Sequence, residues 1–75
     1  MEIVTIQEKL ATIERYKRYS DIVHVCKGLG CTPYMFTVAR RRQDNGYSDK
    51  EIDIVNGMYE IASARREKRI QNGLD

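Results

Sequence analysis

The sequence predicts an all-α protein, a single compact four-helix domain over residues 1–75 with a central helix-turn-helix and a long C-terminal helix. Three observations predict it. Apolar residues recur at spacings of three and four, which places them on one face of a helix. No alternation of the kind typical of a strand persists beyond four residues. Finally, good capping residues stand where the helices would begin, and glycines stand where they would end.

The first helix is predicted over about residues 5–18. Thr5 is followed three residues later by Glu8, which is the spacing of a capping box. The apolar face of this helix carries Ile6, Leu10 and Ile13. The second helix is predicted over about 21–29, with Ser20 as its N-cap and an acidic residue in its first turn, where the helix dipole favours an anion.

The third helix is predicted over about 33–43. Gly30 supplies the left-handed conformation that a sharp exit from the preceding helix requires. Thr32 then precedes Pro33, and proline is well suited to the first helical position because that position needs no N–H donor. The run Asp44-Asn45-Gly46 predicts the end of this helix and a turn.

The fourth helix is predicted over about 49–71, because Ser48 and Glu51 have the spacing of a capping box. Asn72-Gly73 marks its end. Gly57 interrupts it, and we interpret this glycine as a site of close packing. The apolar surface of the helix is wider than one partner requires. We therefore expect its second stripe to form a dimer or partner surface, with the residues Ile54, Met58 and Ile61.

Charge is distributed unevenly along the chain, although the net charge is only +2. Residues 27–42 contain four bases and no acid, whereas 43–60 contain five acids and one base. A cationic block beside an acidic one indicates a single basic face, as expected for a protein that binds nucleic acid. Alone, three consecutive arginines at a helix end are equally explained by the helix dipole.

The strongest pattern lies across the turn between the second and third helices. Cys26 is a small residue, Gly30 follows four residues later, and the apolar Phe36 lies six residues beyond Gly30. These are the positions at which a helix-turn-helix needs a small contact, a turn glycine and a buried residue. Residues 20–42 resemble the helix-turn-helix of the lambda-repressor-like and Xre-type DNA-binding domains, common in phage repressors and bacterial regulators. Cys26 stands where alanine is usual in that family.

The resemblance implies a transcriptional regulator that binds double-stranded DNA in the major groove, as a homodimer on a two-fold operator. It also implies roles for residues of the third helix and its flanks. Base contacts are expected from Thr32, Tyr34, Thr37, Val38 and Arg41, of which the arginine suits a guanine. Phosphate contacts are expected from Lys27, Arg40 and Arg42.

Two other hypotheses remain open at this point. The chain is alternatively a small helical protein-binding module, such as a phage factor or inhibitor that docks on a host protein through the fourth helix. The second of these hypotheses is a helix-turn-helix that has lost DNA binding. The basic run 65–69 is interpreted mainly as a solvated helix end, with a phosphate-contacting or partner-binding tail as the minority interpretation.

Enzymatic and metal chemistry have little support in the sequence. The sequence offers only three nitrogen or sulfur ligands, His24, Cys26 and Cys31, whereas a structural zinc site needs four. The lone histidine has no serine–acid arrangement nearby, and no phosphate-binding glycine loop is present. We therefore expect no enzyme activity and no cofactor. The absence of a signal peptide and of a membrane-spanning apolar run predicts a cytoplasmic protein with no membrane contact.

Overall fold

A computed structural model of the chain describes residues 4–42 and 46–74. Four helices follow one another, which confirms the predicted all-α fold class with its long last helix. They are α1 (Ile6–Tyr16), α2 (Tyr19–Leu29), α3 (Pro33–Arg41) and α4 (Asp49–Gln71). The third helix is shorter than the predicted range of about 33–43, because it ends at Arg41 with Arg42 as its C-cap. The predicted turn residues Asp44 and Asn45 lie outside the described residues.

The helix starts show which capping predictions were right. Thr5 Oγ1 accepts the N–H of Glu8 at 3.2 Å and begins α1, as predicted. Ser48 and Glu51 form the predicted capping box at the start of α4, with reciprocal hydrogen bonds of 3.0 and 3.2 Å. At these two positions the local sequence alone is sufficient to start a helix.

The prediction of Ser20 as the N-cap of the second helix was wrong. The helix begins two residues earlier than predicted, at Tyr19, and Arg18 is its N-cap. The carboxylate of Asp21 accepts the backbone N–H of Arg18 at 2.8 Å, so the acidic residue caps the helix from inside its first turn. The first helix is correspondingly shorter than predicted, because it ends at Tyr16.

The core lies around α4, which packs against all three other helices. Each helix contributes apolar residues at the spacing of its buried face, and Phe36 and Ala39 lie inward as the sequence pattern predicts. The buried apolar residues are Ile13, Ile22, Val25, Cys26, Phe36, Ala39, Ile54, Val55, Met58 and Ala62. None of the helices in the described ranges is long and apolar enough to cross a membrane.

The wide apolar surface of α4 faces this core. The prediction that Ile54 and Met58 belong to a dimer or partner surface was wrong, because their side chains are 0% and 1% exposed. Ile61, the third residue of that prediction, is partly buried against the core. A helix that lies against three neighbours needs apolar residues on most of its circumference, and no additional partner is required to explain them.

Two arginines connect the helices by forming ion pairs with carboxylates. Arg65 of α4 binds Asp21 at the start of α2 at 2.8 Å and also donates to the carbonyl oxygen of Tyr16. Arg42, after α3, binds Glu51 at the start of α4 at 3.0 Å. Each acidic residue sits in the first turn of its helix, so an arginine from another part of the chain fixes the direction in which that helix starts.

Candidate nucleic-acid interface

The outer side of α3 is set by its buried side. Successive helical residues are rotated by about 100°, so the residues opposite the buried Phe36 and Ala39 are fixed by geometry. Tyr34 and Arg41 point most directly away from the core, with Thr37 and Val38 to either side. We call these four residues the outward face of α3. They are four of the five residues predicted to contact bases.

The members of the outward face differ in exposure. Tyr34 is 73% exposed and Arg41 is also exposed, whereas Thr37 and Val38 are half-buried. Val38 and Tyr34 line a shallow hollow of about 160 Å³ together with Met35 and the buried Glu51. The face therefore presents a phenol and a guanidinium at its centre and a small apolar surface along its α4 side.

The turn before α3 holds this helix at a defined position. Gly30 ends α2 with φ +70° and ψ +34°, which confirms the predicted left-handed glycine. The N–H of Cys31 donates to the carbonyl oxygen of Cys26 at 2.9 Å, and Lys50 of α4 donates to the carbonyl oxygen of Leu29 at 2.9 Å. The backbone at the end of α2 is thus held from both the turn and α4.

Thr32, the fifth predicted base contact, is the exposed N-cap of α3. Its side chain makes no capping hydrogen bond. The hydroxyl at the start of the helix therefore remains able to donate to or accept from a ligand, beside the positive end of the helix dipole.

The predicted phosphate contacts divide into two groups. Lys27 is exposed at the end of α2, and within residues 4–42 and 46–74 its ammonium has no ion-pair partner. The same holds for the guanidinium of Arg41. Arg40, in contrast, binds Glu14 of α1 at 2.6 Å and lies over the ring of Phe36. Its charge is partly offset before any ligand arrives.

Arg42 has a structural role that the sequence pattern did not reveal. Its Nε and Nη2 both donate to the carboxylate of Glu51, at 3.0 to 3.2 Å, and it lies over the ring of Tyr47. Glu51 was interpreted as a capping residue only, yet it is 5% exposed and buried under this arginine. Arg42 thus connects α3 to α4, and a phosphate contact would compete with this ion pair.

The electrostatic environment of Glu51 follows from these contacts. The N–H of Ser48 is the main cause that holds the pKa of the Glu51 carboxyl below its ordinary value, with Arg42 contributing, against the opposing effect of burial. Glu51 is therefore ionised at neutral pH. Its negative charge lies under the α4 side of the outward face, which leaves Arg41 as the exposed cation of that face.

The two cysteines behave as packing residues. Cys26 is 1% exposed, and burial raises the pKa of its thiol to about 11. Cys31 Sγ lies 3.6 Å from the carbonyl oxygen of Cys26. Across the described ranges, no three residues of the types His, Cys, Asp and Glu lie close enough together to hold a metal ion.

Comparison of the chain with protein-family models, curated proteins and solved structures finds no match in any of the three.

Proposed function

We propose that this protein is a sequence-specific regulator that binds double-stranded DNA by placing α3 in the major groove. The observation that carries the proposal is the outward face of α3, on which Arg41 and Tyr34 point directly away from the core. An α-helix with its side chains is about 10–12 Å in diameter, and the major groove, about 12 Å wide, admits it.

The chemistry of the face supports specific roles. Arg41 presents a planar fork that matches O6 and N7 of guanine, and Thr37 and Val38 present methyl groups suited to thymine. Thr32 and Tyr34 add hydroxyl groups near the start of the helix. Lys27 and Arg40 lie at the flanks of the outward face, where basic side chains contact the phosphates of DNA. On binding, Arg40 would exchange its ion pair with Glu14 for one with a phosphate oxygen.

Kinship with the lambda-repressor-like and Xre-type domains belongs to the same proposal. Two members of the Cys26–Gly30–Phe36 pattern are buried and the glycine is left-handed, as that motif requires. We extend the proposal to a homodimer on a two-fold operator in the cell interior, with no catalytic role. The alternative of a module that docks through α4 has lost its basis, because Ile54 and Met58 are core residues.

Selection of bound duplexes from a random pool tests the proposal. We expect a consensus with two half-sites, spaced by about one helical turn if the protein binds as a dimer. Recovery of no consensus at low salt would refute sequence-specific binding. A single, non-repeated half-site together with a monomer in sedimentation would refute the dimer.

Arg41→Ala tests which helix reads the bases. The variant should lose about 1–3 kcal/mol of discrimination at one position of the consensus and keep its fold. Arg66→Ala is the matched control, since it also removes one arginine but lies on α4. Unchanged discrimination in Arg41→Ala and in Thr37→Ala would exclude α3 as the reader and leave a helix-turn-helix that has lost DNA binding.

A further inference from the structure

A groove runs between the connection from α1 to α2 and the last turns of α4. It consists of two adjoining hollows, of about 400 and about 660 Å³, which share Arg18, Arg65 and Arg69. We call these two hollows together the basic groove. Its basic lining residues are Arg15, Lys17, Arg18, Arg65, Lys68 and Arg69.

The fold brings these residues together from two stretches of sequence, 15–18 and 65–69. Arg65 holds the end of α1 through Tyr16 and the start of α2 through Asp21, so the Lys17-Arg18 connection passes beside α4. Beyond Arg65, the next residues on the same side of α4 are Lys68 and Arg69, three and four positions on. The sequence run 65–69, interpreted above as a solvated helix end, therefore forms one wall of a groove.

Positive charge in the basic groove exceeds the negative charge near it. Asp21 pairs with Arg65, and Glu14 pairs with Lys17 at 3.4 Å. Among residues 4–42 and 46–74, three of the basic lining residues, Arg15, Arg18 and Lys68, form no ion pair with a carboxylate. Because like charges converge in a concave site, the local positive potential is stronger than on a flat surface.

The lining indicates which anion fits. The smaller hollow is lined by five bases and Tyr16, with no aliphatic side chain. Guanidinium groups bind the paired oxygens of phosphates and carboxylates through two parallel hydrogen bonds, which chloride cannot form. The groove is open rather than enclosed, whereas a site for a small molecule would bury most of its ligand. Both features favour the backbone of a polymer.

We propose that the basic groove binds backbone phosphates of DNA, as a second contact separate from the outward face of α3. Glu14 connects the groove to a flank of α3, because its carboxylate binds Lys17 of the groove at 3.4 Å and Arg40, a predicted phosphate contact, at 2.6 Å. The whole molecule measures 36 × 26 × 21 Å, so one duplex is long enough to reach both. The inference rests on the proposed function for the identity of the polymer.

The salt dependence of binding to a duplex of scrambled sequence tests the groove, because this binding does not depend on base contacts by α3. Arg18→Gln and Arg69→Gln remove one groove cation each. Arg66→Gln is the matched control, because Arg66 lies next to Arg65 on α4 and is absent from the groove lining. Between about 50 and 200 mM salt, the slope of log K against log salt should fall by about 0.9 for each contact removed. The control should keep the wild-type slope.

Two further arms identify the ligand. Polyglutamate matched in charge to the duplex should compete poorly, and tripolyphosphate should compete with the duplex in wild type and less in Arg69→Gln. Equal competition by polyglutamate would overturn the assignment to phosphate in favour of an acidic protein segment. Direct binding of tripolyphosphate by a protein that binds no duplex would overturn the DNA backbone as the source.

The outcomes separate this inference from the proposed function. If the groove variants have the same salt slope as Arg66→Gln, while Arg41→Ala still loses discrimination at one position of the consensus, the groove is overturned and base reading by α3 stands. Reduced slopes in the groove variants without any selected consensus would support the groove and overturn sequence-specific regulation.

Discussion

Val25 on α2 presses directly against Gly57 on α4. A Cβ atom added at Gly57 would lie 2.9 Å from Cγ1 of Val25, closer than carbon atoms pack. Valine is stiff at χ1, so it cannot turn away without cost. The glycine in the middle of α4, which lowers helix propensity, is therefore explained by the approach of the two helices.

Gly57→Ala should destabilise the protein even though alanine favours the helix. The gain of roughly 1 kcal/mol in propensity is opposed by overpacking of about 1–3 kcal/mol, which gives a net loss of up to about 2 kcal/mol. Gly28→Ala is the control, because a Cβ there meets nothing within 4 Å. It should raise the free energy of unfolding in urea. Equal effects of the two changes would contradict the close approach.

Acid should destabilise the protein through two carboxyls. The hydrogen bond from Arg65 is the main cause that lowers the pKa of Asp21, and the N–H of Ser48 is the main cause for Glu51. A carboxyl with a lower pKa in the folded state contributes stability above its unfolded pKa and loses it as the pH falls through the folded value. The free energy of unfolding should therefore fall below about pH 4.5.

Asp21→Asn and Glu51→Gln check this linkage. Each variant should be less stable at pH 7 and should show a shallower loss of stability in acid, measured by urea unfolding across pH. Asp53→Asn, an exposed residue on α4, is the control and should change the free energy of unfolding little. Acid curves of the two variants that run parallel to wild type would assign the acid sensitivity to other groups.

Glu14→Gln should strengthen binding to DNA. The carboxylate repels phosphates and occupies both Arg40 and Lys17. Its removal leaves both cations available, and exposed pairs of this kind contribute about 0.2–1 kcal/mol, so affinity for a scrambled duplex should rise by a factor of about 1.4 to 5. Fluorescence anisotropy at low salt measures this. Glu60→Gln, an equal charge change on the exposed side of α4, should give a smaller increase.

Cys26 should resist alkylation until the protein unfolds. Its thiol is buried and its pKa is raised to about 11, so little thiolate is present and reagents do not reach it. In Cys31→Ser, iodoacetamide labelling of Cys26, followed by mass spectrometry, should proceed at the rate of global opening and accelerate in urea. Labelling as fast in buffer as in urea would show that Cys26 is accessible in the folded protein.

Local signals predicted most of the helix starts and stops. Ser48 with Glu51, Thr32 with Pro33, and the left-handed Gly30 each act over three or four residues, and a capping motif needs no tertiary contact. The start of α2 differed from its prediction because two capping solutions compete there. The sequence offers a serine, whereas the folded chain uses the longer reach of Asp21, which Arg65 holds in place from α4.

Partners distant in sequence were beyond pattern analysis. Spacing identifies Arg42 as one of three basic residues at a helix end, but not that Glu51 lies buried beneath it. Likewise, the width of the apolar surface of α4 indicates how much of the helix is buried, but not which parts of the protein cover it. Ile54 and Met58 were therefore assigned to a docking surface, although the other helices of the same chain cover them. The outward face of α3 was predictable, because the positions of Phe36 and Ala39 alone fix the opposite side.

The central position of α4 has a consequence for how the chain folds during synthesis. The first three helices contribute six of the buried apolar core residues, and α4 contributes four more, from Ile54 to Ala62. While the ribosome has released only the first three helices, their apolar faces lack α4, the helix against which all three pack. The nascent chain should therefore remain unfolded and open to chaperones until the segment through Ala62 has emerged, and then fold in a single step.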